Sequence, residues 1–118
     1  MILERFRIHN LFSYRGTNEF DLSPPPDGRN VALIWGRNGY GKTSFINSLE
    51  LLLTGVSDDL RESIQAGRTI KRDQYLLGMG DEWMGVFNRH ARTKGESEFG
   101  MSLTWREASG QVEVRSAF

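Results

Sequence analysis

Eight residues, Gly36-Arg37-Asn38-Gly39-Tyr40-Gly41-Lys42-Thr43, constrain this chain more than any others, because they match the spacing G-x-x-x-x-G-K-[ST] without a mismatch. Average residue frequencies give that match in about one random chain of this length in a few hundred, so the flanks decide whether it carries meaning. Before it stands Val31-Ala32-Leu33-Ile34-Trp35, a continuous apolar run bounded by turn signals, the pattern of a strand buried on both faces. After it, Ser44 to Leu53 places Phe45, Ile46, Leu49, Leu52 and Leu53 on one helical face and Asn47, Ser48 and Glu50 elsewhere. Thr54-Gly55 reads as the helix stop. Strand, glycine loop and helix in this order form the context in which such a loop cradles phosphate.

The chemistry accounts for the spacing. Phosphate oxygens need several N–H donors at close range. Gly36, Gly39 and Gly41 can take backbone angles that side chains forbid, and they let the chain approach the anion. The following helix turns its free N–H groups and positive dipole end toward the same anion. Lys42 adds a point charge that reaches the β and γ phosphates, and Thr43 offers a hydroxyl to magnesium. The reading is therefore a purine-nucleotide site for ATP with Mg2+. Its binding residues are Gly36, Arg37, Asn38, Gly39, Tyr40, Gly41, Lys42, Thr43 and Ser44, with Lys42 and Thr43 acting on the phosphates and Thr43 on the metal. The competing reading is a plain glycine turn with Lys42 merely exposed. A dinucleotide fingerprint fits less well, because Gly39-Tyr40-Gly41-Lys42-Thr43-Ser44 lacks the third glycine.

Around this centre, 118 residues allow one domain with a modest core. The N-terminus has no secretory pattern and no apolar run is long enough to span a bilayer, so a soluble cytoplasmic protein without a membrane partner is expected. No cysteine is present, which excludes a disulfide framework and a thiolate metal site. Fifteen basic residues balance fifteen acidic ones, so net charge gives no support for general nucleic-acid binding. Two small basic clusters, Arg61, Arg68, Lys71 and Arg72, and Arg89, His90, Arg92 and Lys94, read as solvated surface, with a DNA contact as the sharper alternative.

Alternation predicts strands over 1–9 and Asn18–Leu22, with Asn10–Thr17 as the loop between them. Ser23-Pro24-Pro25-Pro26-Asp27-Gly28 cannot continue a ladder. Further on, short helices are expected over Asp58–Ala66 and Asp81–Arg89, an irregular stretch over Gly67–Gly80 with one helical turn near Tyr75, and a hairpin of Glu96–Arg106 and Gln111–Arg115 turning at Ala108-Ser109-Gly110.

The order strand, Asn10-Leu11-Phe12-Ser13-Tyr14, strand, apolar run, Gly36-Arg37-Asn38-Gly39-Tyr40-Gly41-Lys42-Thr43-Ser44, then Leu51-Leu52-Leu53-Thr54-Gly55, resembles the N-terminal ATPase lobe of the structural-maintenance-of-chromosomes (SMC) and RecF/RecN class. Within it, Phe87-Asn88-Arg89 and the hairpin behind it look most like the DndD-type ATPases of DNA sulfur modification. The resemblance implies an α/β fold of P-loop NTPase type (ABC/SMC-like): residues 1–118 would be a single N-terminal lobe with a mixed β-sheet and flanking helices. It implies that the loop after the first strand lies near the nucleotide, which makes Ser13, Tyr14 and Arg15 candidates; their plain reading is a polar turn. It implies three partners: a C-terminal lobe, a second head, and DNA or DNA-processing proteins. Two positions depart from the family, which often has a basic residue where Phe12 stands and an acidic one where Asn47 stands.

The family's signature motif, its Asp-Glu pair and its switch histidine find no counterpart. Asp81-Glu82 follows Gly78-Met79-Gly80, not a buried strand, and reads as a helix start. Gln65, Gln74 and Gln111 sit awkwardly for sensing a γ phosphate, and His9 and His90 read as surface residues. Phosphoryl transfer also needs a metal carboxylate and a positioned water, so the expectation is one lobe of a split ATPase that hydrolyses ATP only in a completed head. It should expose apolar surface where the other half packs, and the chain's end just after a strand reads as truncation. A nucleotide-dependent interaction module without turnover and a small P-loop kinase are the alternatives. A GTPase would carry an Asn-Lys-x-Asp motif, and none occurs.

Overall fold

A computed structural model describes residues 1–37, 41–62, 70–80 and 83–118. Strands β1 (Ile2–Leu11) and β2 (Tyr14–Asp21) come first, then helices α1 (Lys42–Thr54), α2 (Asp58–Glu62), α3 (Arg72–Leu77) and α4 (Arg89–Thr93), then strands β3 (Gly100–Glu107) and β4 (Gly110–Ala117). The strands form one antiparallel sheet in the order β2-β1-β3-β4.

Alternation decides which face of the sheet is buried. Phe6 and Ile8 of β1 point one way and meet Leu103 and Met101 of β3, all buried. Each such side chain contributes about 2 kcal/mol by leaving water. Arg5, Arg7 and His9 point the other way, and this outer face carries the exposed ion pairs Arg7–Glu19 at 2.8 Å and Arg115–Glu113 at 2.9 Å, while Arg106 reaches the largely covered Glu4 at 2.7 Å. Pairs this exposed keep the face solvated and add little stability.

Helix α1 lies on the inner face. Phe45 packs edge-on against both Phe6 and Phe20, with ring centroids 5.2 and 5.0 Å apart, and Tyr14 closes the row against Phe20 at 5.7 Å. The buried stripe of α1 is Phe45, Ser48 and Leu51. It is rotated from the expected face, since Ile46 and Leu53 are more than half exposed. Ser48 tolerates burial because its hydroxyl donates to the Ser44 carbonyl at 2.7 Å.

The loop expected over Asn10–Thr17 shrinks to Phe12-Ser13, because β1 runs to Leu11 and β2 already pairs with it from Tyr14; most other elements fall where the sequence places them, with two corrections. Val31–Trp35 forms no strand: Val31, Leu33 and Trp35 are 88%, 84% and 83% exposed. A strand buried on both faces needs a neighbour at each edge. Both edges of β1 and of β3 are already taken, and three prolines precede the run. Every ladder described is consequently antiparallel, without the parallel member that a mixed sheet would have gained here. An apolar concavity of about 460 Å³ separates the run from α1 and the sheet, lined by Phe6, Ile34, Phe45, Ile46 and Leu49.

The second correction concerns the helix expected over Asp81–Arg89. Trp83–Asn88 is irregular, α4 begins only at Arg89, and Asp81 and Glu82 lie outside the described residues. Gly85 takes φ 84° and passes so close to α3 that an added Cβ would lie 2.6 Å from the Leu76 carbonyl oxygen. The Val86 amide donates to that same carbonyl at 3.0 Å, and Leu11 bridges to Phe87. Tertiary pairing therefore claims backbone groups that a helix would have used internally. Of the helix expected over Asp58–Ala66, α2 accounts for Asp58–Glu62, and residues 63–66 lie outside the described part.

Candidate nucleotide site at the start of helix α1

Helix α1 opens on glycine. Gly41 is its N-cap residue at φ 96° and ψ 5°, a left-handed conformation that suits a residue without Cβ. Lys42 and Thr43 form the first turn, where backbone N–H groups lack intrahelical acceptors. Thr43 is exposed and Lys42 half-buried, and among the described residues neither side chain has a hydrogen-bond partner. Gly36 and Arg37 lie in the irregular stretch before the loop. Asn38, Gly39 and Tyr40 lie outside the described residues.

The β1–β2 turn meets this helix start. The Ser13 hydroxyl donates to the Ser44 hydroxyl at 2.8 Å, and the Tyr14 hydroxyl donates to the Gly41 carbonyl at 2.9 Å. That carbonyl also accepts from the Phe45 amide at 2.9 Å, so both its lone pairs are used. Burial raises the Tyr14 phenol above its ordinary pKa, which keeps the proton that it donates. A Cβ on Gly41 would stand 3.1 Å from the Tyr14 hydroxyl and 3.4 Å from the Ser13 hydroxyl. The glycine thus meets two demands at once, a positive φ and a close approach. Of the three turn residues expected near the site, Ser13 and Tyr14 arrive there. Arg15 does not: it is exposed on β2, and its side chain has no hydrogen bond or ion pair among the described residues.

The end of β1 and the turn after it hold two non-glycine residues at positive φ, Asn10 at 50°, where the β1–β2 register shifts, and Phe12 at 51°. Asn10 is fully buried. Its side-chain oxygen accepts from the Gly16 amide at 2.7 Å and its Nδ2 donates to the Glu98 carbonyl at 3.1 Å. Behind it, the Phe12 amide donates to the Val86 carbonyl at 2.6 Å, and Asn88 Nδ2 donates to the Phe12 carbonyl at 2.9 Å. Sequence reasoning missed Asn10, Val86 and Asn88 as supports of the site. The available signal was asparagine's enrichment at left-handed and helix-capping positions.

A larger concavity, about 590 Å³, lies on the outer face of the sheet among Arg7, His9, Ser102 and Arg115. Its two arginines are already paired with Glu19 and Glu113. The start of α1, by contrast, collects unpaired N–H groups, a lysine and a threonine hydroxyl in one place, which is what a phosphate chain with a bound cation requires.

The four-stranded sheet thus carries a helix that opens on Gly41 and begins with Lys42-Thr43, with no strand formed by the apolar run before the loop. A family model described as an AAA domain matches residues 5–115, and the chain belongs to that family of ATPases. It is also similar to a protein named Arcadin-4 from Pyrobaculum calidifontis, 34% identical over 62 residues. That match covers 52% of this chain and 7% of the relative's length. No helix among the described residues is long and apolar enough to cross a membrane.

Proposed function

We propose that the chain is the N-terminal, ATP-binding lobe of an SMC-like ATPase head that works with DNA in modification, defence or repair. The observation that carries this reading is the Gly41–Ser44 helix start, capped by a left-handed glycine and braced by Ser13 and Tyr14. The residues present fit the ligand. Gly36 to Ser44 would surround the phosphates, Lys42 would balance their charge, and Thr43 would give its hydroxyl to Mg2+, which supplies further charge neutralisation when bound. Ser13 and Tyr14 fix where this helix start sits. A role for Arg15 would require its exposed side chain to turn toward the loop.

Binding and hydrolysis are separate claims. Among the described residues, no strand ends in an acidic pair that could hold the metal and orient a water. Turnover is therefore assigned to a completed head, formed with a C-terminal lobe and a second head. The exposed Val31, Leu33 and Trp35 support this division, because an apolar run of that size calls for a cover. A nucleotide-dependent interaction module without turnover draws on the same exposed run. ATP hydrolysis measured after a C-terminal lobe is supplied separates the two. Cytoplasmic location and a likeness to DndD-type ATPases belong to the same proposal.

Calorimetry of Mg-ATP binding by the chain and by Lys42→Ala tests the site. The reading expects binding that the substitution abolishes. Equal binding by both proteins would move the site elsewhere, and a folded parent that binds nothing would end the nucleotide reading.

A further inference from the structure

Asn88 lies 76 positions from Phe12 in sequence, is only 4% exposed, and uses every polar atom it has. Its Oδ1 accepts from the His90 and Ala91 amides, both at 3.1 Å, and so caps α4. Its Nδ2 donates to the Phe12 carbonyl at 2.9 Å, and its backbone amide donates to the Asn10 carbonyl at 2.8 Å. One residue therefore grips the carbonyls of both left-handed residues at the β1–β2 turn. The next residue after Phe12 is Ser13, whose hydroxyl meets Ser44, and Tyr14 follows with its hydroxyl on Gly41.

We infer that Asn88 is a positioning residue of the nucleotide site, acting through the backbone of the β1–β2 turn to fix Ser13 and Tyr14 against the start of α1. This rests on the nucleotide reading given above. The residue type supports the inference. Asparagine, aspartate, serine and threonine all cap helices well by accepting amide hydrogens. Of these four, only asparagine brings N–H donors beside the accepting oxygen. Capping α4 alone would leave the choice open, whereas here the cap and the hold on the Phe12 carbonyl fall on the two ends of one carboxamide, tasks that serine or threonine would have to meet with a single hydroxyl oxygen. The grip matters because positive φ is sparsely populated for side-chain-bearing residues and persists only where surrounding contacts enforce it. The Val86 carbonyl, which accepts from the Phe12 amide at 2.6 Å, holds the peptide unit on the other side of the same residue.

Two substitutions separate this role from plain capping. Asn88→Ser keeps a capping hydroxyl and removes the carboxamide nitrogen that donates to Phe12, without burying a charge. Asn88→Asp keeps the shape and the capping oxygen and also removes the donor. Two readouts apply: Mg-ATP affinity by calorimetry, and backbone amide shifts measured without nucleotide. Both variants should leave the His90 and Ala91 amide signals close to the parent's. Both should move those of Ser13, Tyr14, Gly41 and Ser44, and should bind Mg-ATP about tenfold more weakly, the effect of one buried hydrogen bond left unmade. A serine variant with parental affinity, or with Gly41 and Ser44 signals unmoved, overturns the inference. Should the aspartate variant fail to fold, the serine variant decides alone. If the folded parent itself binds no ATP, the nucleotide reading falls, and the nucleotide-free shifts of Gly41 and Ser44 still decide whether Asn88 holds the helix start.

Discussion

Residues 10–14 and residues 31–35 exchange the roles that their sequences announce. Asn10-Leu11-Phe12-Ser13-Tyr14 opens the stretch that reads as a loop, yet it holds fully buried Asn10 and Leu11 and is tied to two distant segments, through Val86 and Asn88 and through Glu98. Val31-Ala32-Leu33-Ile34-Trp35 reads as the best-buried strand of the chain, yet most of its side chains face solvent and it enters no ladder. What separates the two is a place for the backbone to pair. The turn finds acceptors and donors in the irregular Trp83–Asn88 stretch and in the approach to β3. The apolar run has suitable side chains and no free inner edge to join. Apolar character predicts what a segment would bury, and only a partner surface makes the burial happen.

Substitutions can break or sharpen this contrast. The largest effect is expected behind the turn, at Gly85→Ala, where a positive φ and a 2.6 Å approach to the Leu76 oxygen both penalise a methyl group. Urea unfolding should show a loss of about 3 kcal/mol. A neutral result would mean that the stretch does not pack on α3 as described. Asn10→Ala comes next. It leaves the Gly16 amide and the Glu98 carbonyl without their partner and asks alanine to hold φ 50°. A loss of about 2 kcal/mol is expected, and a loss near zero would reduce the turn to an ordinary loop.

Tyr14→Phe removes only the hydroxyl on the Gly41 carbonyl. It should cost about 1 kcal/mol of stability while leaving the ring packed on Phe20. Leu33→Ser should change stability by no more than about 0.5 kcal/mol, as befits a surface position. A loss as large as that at Gly85 would show the run buried in solution and reverse the comparison.

The same contrast explains what could be read from sequence. The strands were legible because Phe6 and Ile8 alternate with Arg5, Arg7 and His9, and because Ala108-Ser109 supplies a turn between two such patterns. Helix α1 was legible from its spacing and from Gly55, although its buried face was not. Ser48 is polar and falls outside the apolar stripe, yet its hydroxyl is satisfied within the helix and its side chain is buried. At the candidate site, Gly41, Lys42 and Thr43 stand out by spacing alone, because the pattern that proposes them is local. Asn88 does not, since its bonds to the turn span most of the chain and a single asparagine carries no periodic signal. Gly85 escaped for a similar reason: its neighbour is a carbonyl on α3, not a residue beside it in sequence.

The most direct test of the central claim is a titration of the isotopically labelled chain with Mg-ATP, followed through its backbone amide resonances. The account predicts saturable shifts concentrated at Gly36, Gly41 to Ser44, Ser13 and Tyr14, with the outer face of the sheet unaffected. Shifts centred on Arg7, His9 and Arg115, or no saturable shift in a folded sample, would contradict it.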